Sequence, residues 1–169
     1  MKINPIILID TREQSPLMFE NYASEPATLT TGDYSLKGME SLFSVERKSI
    51  SDLTGSLTQG RERFTRELER LRGYEFRRLL IIGTRQQIQN HDYRSRATPA
   101  AVLGSLNTFE IRYGVPVVFI ESRAKAAEQV EIWARYYFAE QIKHAQNIIA
   151  LTDPQASHKG ENEVNPCTH

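Results

Sequence analysis

Three short, largely apolar runs constrain the fold most strongly. They are IILI at residues 6–9, RLLIIG at 78–83 and VPVVFI at 115–120. Short runs rich in β-branched side chains suit strands that are buried on both faces of a sheet. Apolar residues recur at helical spacing between Leu53 and Leu71, and helices are also predicted after the second and third runs. We therefore expect an α/β domain in which helices flank a mixed central β-sheet.

The remaining elements are predicted from hairpin and capping patterns. Residues 33–36 and 41–48 have strand-like patterns and flank a polar segment, which predicts a hairpin. Residues 26–29 are a weaker strand candidate. Helix boundaries follow from the residue types that cap helices. The predicted helices begin at Ser49 with a break at Gly60, extend from Thr98 to Gly114, and extend from Ser122 to about residue 150.

Composition bounds the class of protein. The 169 residues are 40% hydrophobic and 25% charged with a net charge of zero, which is typical of one folded domain. No apolar run approaches the roughly 20 residues of a membrane span, and the single cysteine, Cys167, excludes an internal disulfide. We expect a soluble cytoplasmic protein that does not contact membranes. Its predicted domain covers residues 1–150, and a polar, disordered tail covers 151–169.

Several charged residues that could take part in a reaction lie close together on the predicted hairpin. Glu46 and Lys48 lie two residues apart in a strand and therefore point to the same face. If the turn centres near residues 39 and 40, Asp33 lies opposite Glu46, with the Cβ atoms roughly 4.5–5.5 Å apart. Two carboxylates at that distance repel each other unless a cation lies between them. Mg²⁺ and Mn²⁺ prefer such oxygen ligands, and Lys48 could stabilise charge that develops on a phosphate.

Asp10 ends the first predicted strand, where it could bring a third acidic group to the same edge of the sheet. Each feature alone has a simpler interpretation. Asp10 could be a turn residue or a helix cap, Gly32 and Asp33 could form a turn, and residues 46–48 could be a solvated strand end. Together, at this spacing, they favour metal-dependent hydrolysis of a phosphodiester.

The segments LIDTRE, TGDYSL, FSVERKSISDLTGSL and QGR resemble the nuclease domain of the XPF family of structure-specific endonucleases. The family signature is Gly-Asp, a variable stretch, Glu-Arg-Lys, three residues and Asp. It is complete here from Gly32 to Asp52. The motif match extends to about residue 61, and the order of elements continues it to about residue 140. The resemblance implies a restriction-endonuclease-like fold of the PD-(D/E)XK group that cuts branched or flap DNA.

The resemblance also implies roles for individual residues. The implied catalytic residues are Asp10, Asp33, Glu46, Arg47 and Lys48. The implied ligands of Mg²⁺ or Mn²⁺ are Asp10, Asp33 and Glu46. The residues expected to contact DNA near this site are Arg12, Gln59 and Arg61. Thr65 replaces a glutamine that is common in the family, and no segment resembles a helicase or helix-hairpin-helix domain, so a stand-alone nuclease domain is expected.

Arginines are concentrated after the signature. Ten arginines and five acids lie between residues 61 and 96, and phosphate contacts of this kind supply most affinity that is independent of DNA sequence. A solvated helix with i,i+4 ion pairs such as Glu62–Arg66 explains part of this excess equally well. The loop at residues 91–99 carries Arg94 and Arg96, which we expect to bind DNA.

The long C-terminal helix carries more apolar residues than one buried face requires, which predicts a homodimer through this region, although packing in the core explains them almost as well.

The predicted function is a Mg²⁺- or Mn²⁺-dependent endonuclease for branched, flap or fork DNA in repair, recombination or replication. We expect it in a prokaryotic or phage-infected cell, at the nucleoid when bound to DNA, with a separate targeting protein as a partner. The alternatives are a catalytically silent DNA-binding or scaffolding subunit, and a nuclease for RNA or duplex DNA ends.

Overall fold

A computed structural model describes residues 3–152 of the chain. Six strands and five helices form these residues. The strands are β1 (Ile7–Asp10), β2 (Ser24–Ala27), β3 (Tyr34–Leu36), β4 (Phe43–Ser49), β5 (Phe76–Ile82) and β6 (Val117–Ile120). The helices are α1 (Ile50–Thr58), α2 (Arg61–Leu71), α3 (Arg85–Gln89), α4 (Pro99–Tyr113) and α5 (Arg123–Thr152).

The strands form one mixed sheet with the order β2-β1-β3-β4-β5-β6. Strand β3 pairs antiparallel with both β1 and β4, whereas the outer pairs β1–β2, β4–β5 and β5–β6 are parallel. The predicted α/β class with a mixed sheet flanked by helices is confirmed. Tyr34 pairs with Val45, so the hairpin has the predicted symmetric register and Asp33 lies next to Glu46.

Two hydrophobic cores cover the two faces of the sheet. On one face, Leu79 and Ile81 of β5 pack with residues of α1, α2 and α4, such as Leu68 and Leu106. On the other face, Leu80 packs with the hairpin and with the first half of α5. Alternate residues of β5 therefore enter opposite cores, as the period of two along a strand requires. A strand buried in this way is a rigid support for the residues at its carboxyl end.

Capping groups end and begin the helices where the sequence predicts. Ser49 and Asp52 form the predicted capping box at α1, and Thr98 caps α4 by accepting a hydrogen bond from Ala101. Gly114 ends α4 in the left-handed conformation with φ of 60°. The Oγ of Ser122 accepts the backbone N–H of Lys125 in the first turn of α5. The helical region after Ser49 breaks between α1 and α2, as predicted.

The main differences from prediction are at short elements. Helix α3 was not predicted because its five residues are too few to show an apolar period. Strand β2 begins two residues before the predicted segment, since its parallel pairing with β1 fixes its position. No helix in residues 3–152 is long and apolar enough to cross a membrane. Of the predicted tail, residues 151 and 152 belong to α5 and the rest lies outside the described residues.

Candidate active site

An open, polar cleft of about 930 Å³ lies at the carboxyl end of β4. The loop after β1 forms one side of it, and α1 with the start of α2 forms the other. Asp33, Glu46, Arg47 and Lys48 all line this cleft, together with Arg12, Glu13, Gln59 and Arg63. The structure therefore brings together the Gly-Asp and Glu-Arg-Lys parts of the signature, which are separated in sequence by the hairpin turn.

Asp33 and Glu46 form the acidic centre of the cleft. The backbone N–H of Arg47 donates a hydrogen bond of 2.8 Å to Oδ2 of Asp33, and Nζ of Lys48 donates one of 3.0 Å to Oε1 of Glu46. Burial and the nearby Glu46 charge raise the pKa of Asp33 to about 8. Burial, together with the charge of Glu67, also raises the pKa of Glu46 against the opposing effect of Lys48. The two carboxylates therefore repel each other when both are ionised.

This pair of carboxylates fits a hard divalent cation. Oδ1 of Asp33 and Oε2 of Glu46 are the oxygens that the two hydrogen bonds leave for another ligand. A cation between them would offset the Glu46 charge that, with burial, raises the pKa of Asp33, and carboxylate oxygens are the ligands that Mg²⁺ and Mn²⁺ prefer. Asp33 and Glu46 would hold such an ion.

Lys48 is buried beside these carboxylates. Its Nζ lies 3.7 Å from Oε2 of Glu67 as well as 3.0 Å from Oε1 of Glu46, and it stands 4.6 Å from the centre of the Phe64 ring. Burial alone would lower the pKa of Lys48, but the two glutamates outweigh burial and raise it. Lys48 is therefore a charged donor at neutral pH, with its charge directed at the acidic centre.

Arg47 reaches the cleft although its side chain leaves the opposite face of the strand from its neighbours. Its Nη2 and Nε donate hydrogen bonds of 2.8 Å and 3.1 Å to Oε2 of Glu13. Both side chains of this ion pair are nearly buried. Sequence reasoning missed the role of Glu13. The signal available was its position three residues after Asp10, on the loop that follows the first buried strand.

Asp10 is the main departure from the predicted site. Its two oxygens accept four hydrogen bonds, three from Arg12 and one from the backbone N–H of Leu29. Burial opposes ionisation of Asp10, but the bonds from Arg12 outweigh burial and lower its pKa. In residues 3–152 no three acidic, histidine or cysteine residues are grouped to hold a metal ion. The Asp10 carboxylate is therefore engaged by Arg12 and Leu29 and does not line the cleft, and its part in a three-acid ligand set stays a prediction.

Only some of the residues that were predicted to contact DNA line the cleft. Arg12 and Gln59 line the cleft, whereas Arg61 lines a separate groove beside Phe109 and Arg112. Arg63, two residues later on α2, faces the cleft instead, because the packing of Phe64 and Leu68 sets the rotation of the helix. Arg94 and Arg96 are exposed on the loop between α3 and α4 and do not line the cleft.

Comparison with known proteins agrees with this geometry. A model of the ERCC4 domain matches residues 9–132. XPF from Aeropyrum pernix is similar in structure, with a TM-score of 0.64 at 23% identity over 89% of this chain and 74% of that chain. Its complex with DNA gives a TM-score of 0.65 at 23% identity over 81% of this chain and 66% of that chain. A comparison with curated proteins finds no match in sequence.

At this identity the structural likeness shows the fold, which is the restriction-endonuclease-like fold of XPF. The predicted resemblance to the XPF family is confirmed by the family match, which spans most of the chain and both parts of the signature. The chain belongs to the ERCC4 domain family.

Proposed function

We propose that the chain is a Mg²⁺- or Mn²⁺-dependent DNA endonuclease that acts at branched, flap or fork structures. The observation that carries this proposal is the arrangement of Asp33, Glu46 and Lys48 in one open cleft. Two repelling carboxylates and a buried, charged lysine destabilise a fold unless they serve a ligand, and a cation and a phosphate are the ligands that this set matches.

The residues of the cleft divide the reaction between them. Asp33 and Glu46 hold the cation, and a bound divalent cation supplies Lewis-acid activation of water and of the phosphate. Lys48 donates to a phosphate oxygen and offsets the negative charge that grows in the transition state. The ion pair of Arg47 with Glu13 fixes the loop after β1 against β4, which keeps the wall of the cleft in place. The oxygen of water bonds to phosphorus and its proton passes to solvent, one P–O ester bond breaks, and the departing oxygen takes a proton from solvent.

Basic side chains around the cleft support DNA as the substrate. Arg12 and Arg63 line it with side chains that are 68% and 76% exposed, so both can reach a phosphate backbone. Arg94 and Arg96 would extend the contact along the DNA from the neighbouring loop. The similar XPF has been solved in complex with DNA, which is consistent with a DNA substrate for this chain. Asp10 would act here by orienting Arg12.

A homodimer through α5 is the second part of the proposal. From its middle onward this helix exposes Tyr136, Ile148, Ile149 and Leu151 to between 48% and 87% of their surface. A groove of about 650 Å³ between this part of the helix and the N-terminal segment is lined by Pro5, Tyr22, Phe138 and Ile142 among others. Burying such a surface against a second copy would stabilise both subunits.

A catalytically silent DNA-binding subunit is the competing function. A silent copy would have no need for Asp33, Glu46 and Lys48 together, since removing charged groups from water costs stability even where they form ion pairs. The test is metal-dependent cleavage of defined DNA structures by the wild type and by Lys48→Ala. Cleavage by the wild type that the variant lacks supports the enzyme, whereas DNA binding without cleavage under any metal supports the silent subunit.

A further inference from the structure

Glu67 on α2 is a nearly buried carboxylate to which the mechanism above gives no role. Its side chain is 20% exposed, and Oε2 is fully buried without a hydrogen-bond partner in the described residues. That oxygen lies 3.7 Å from Nζ of Lys48, while Oε1 lies 3.6 Å from Nε of Arg63. Glu67 therefore stands between the two cationic side chains that α2 and β4 present to the cleft.

Three groups determine where the Lys48 ammonium lies. Glu46 holds it by a 3.0 Å hydrogen bond, the Phe64 ring covers one side at 4.6 Å, and Glu67 attracts it from α2. Phe64 and Leu68 anchor α2 in the core, so the Glu67 carboxylate is fixed relative to β4. The 3.7 Å contact of Glu67 with Lys48 is longer than a hydrogen bond.

Glu46, which is the closest partner of Lys48, is also a proposed ligand of the cation. In the proposed function Glu46 binds the cation, so its charge is shared and its hold on Lys48 weakens. Glu67 is the other carboxylate in contact with Nζ. It can keep the ammonium in place while Glu46 binds the cation.

We propose that Glu67 is a positioning residue that holds Lys48, and with it Arg63, at the cleft when Glu46 is engaged by the cation. This inference rests on the proposed nuclease function. Glu67 does not touch the reacting phosphate. It acts through Lys48 and Arg63, the side chains that contact phosphate in the proposed function.

The electrostatics of Glu67 argue against a purely stabilising role. A buried carboxylate oxygen without a hydrogen bond destabilises the folded state. The charge of Glu67 also raises the pKa of Glu46, which means that the two glutamates repel each other. Glu67→Gln should therefore leave the melting temperature unchanged or raise it, whereas replacing a structural ion-pair partner would lower it.

The experiment compares wild type, Glu67→Gln and Glu69→Gln in cleavage kinetics and thermal unfolding. Glu69 lies on the same helix and is exposed, so it controls for the loss of one negative charge. Glu67→Gln should lower kcat by about 10- to 100-fold, the range for residues that orient a catalytic group, with little change in KM and no loss of melting temperature. Unchanged kcat, or a loss of kcat that accompanies a lower melting temperature, would overturn the inference.

A second readout does not require cleavage. An amine-reactive label, followed by mass spectrometry, reports how firmly Lys48 is held, with the exposed Lys125 as an internal reference. With Mg²⁺ present, labelling of Lys48 should be faster in Glu67→Gln than in wild type or Glu69→Gln, and equal rates under this condition would overturn the inference. A wild type that never cleaves DNA refutes the proposed function, while the labelling rates still decide whether Glu67 holds Lys48.

Discussion

Asp33→Asn should flatten the dependence of stability on pH in the metal-free protein. The folded pKa of Asp33 is about 8 against an ordinary value of 3.8. Between these values the folded state keeps a proton that the unfolded state has lost, so the free energy of unfolding of the wild type falls as the pH rises from about 4 to 8. Below about pH 4 both states are protonated and this contribution is fully present. The raised pKa of Glu46 acts in the same direction.

The shift in the pKa of Asp33 gives an upper limit for the stability that is lost as the pH rises. One pKa unit corresponds to about 1.4 kcal/mol, so a shift from 3.8 to about 8 corresponds to about 6 kcal/mol. Because Asp33 lines an open cleft and Lys48 compensates part of the charge, we expect a loss of about 1–3 kcal/mol between pH 5 and pH 8. The asparagine variant lacks the titrating carboxylate and should lose clearly less.

Denaturant unfolding in EDTA at several pH values between 5 and 8 measures how the free energy of unfolding changes with pH in the wild type and in Asp33→Asn. Asp92→Asn, which changes an exposed acid on the loop after α3, is the matched control and should follow the wild type. Adding Mg²⁺ or Mn²⁺ at pH 8 should restore stability to the wild type and not to Asp33→Asn. Parallel slopes for the wild type and Asp33→Asn would refute the reasoning that links burial and the Glu46 charge to Asp33.

Three further changes test other parts of the account. Asp10→Asn replaces one of the two oxygens that accept four hydrogen bonds by an NH₂ donor and should cost about 1–3 kcal/mol in the free energy of unfolding, while folded protein still cleaves DNA; loss of cleavage in a stable variant would instead support the predicted catalytic role of Asp10. Gly32→Ala places a Cβ against Oγ of Ser44 at φ of 81° and should lower the melting temperature and the activity together; a wild-type melting curve would contradict this. Ile149→Glu adds a charge to the exposed face of α5 and should shift sedimentation from dimer to monomer, whereas a wild type that sediments as a monomer would refute the dimer.

Local signals in the sequence predicted much of the fold. Helix ends depend on neighbours within a few residues, so the sequence could predict the capping box at Ser49, the Thr98 cap and the end of α4 at Gly114. The hairpin register followed from its turn, and it placed Asp33 beside Glu46. The alternation of side chains along β4 placed Glu46 and Lys48 on one face, where they form an ion pair.

Other features of the site depend on contacts between distant segments. The Asp10 carboxylate accepts hydrogen bonds from Arg12 and from the backbone of Leu29, and strand order alone does not indicate these contacts. The rotation of α2 decides that Arg63 rather than Arg61 faces the cleft, and that rotation is set by packing against the core. Glu67 reaches Lys48 for the same reason.

Cleavage of end-labelled flap, fork, Holliday-junction, single-stranded and duplex DNA decides whether the chain is a metal-dependent nuclease. Each substrate is incubated with Mg²⁺, Mn²⁺ or EDTA, with wild type or with Lys48→Ala. We predict cleavage of branched substrates by the wild type in Mg²⁺ or Mn²⁺, none in EDTA, and none by Lys48→Ala, which should still bind DNA. Cleavage that persists in the folded Lys48→Ala variant or in EDTA would contradict the account, as would a wild type that binds these DNAs and cuts none of them.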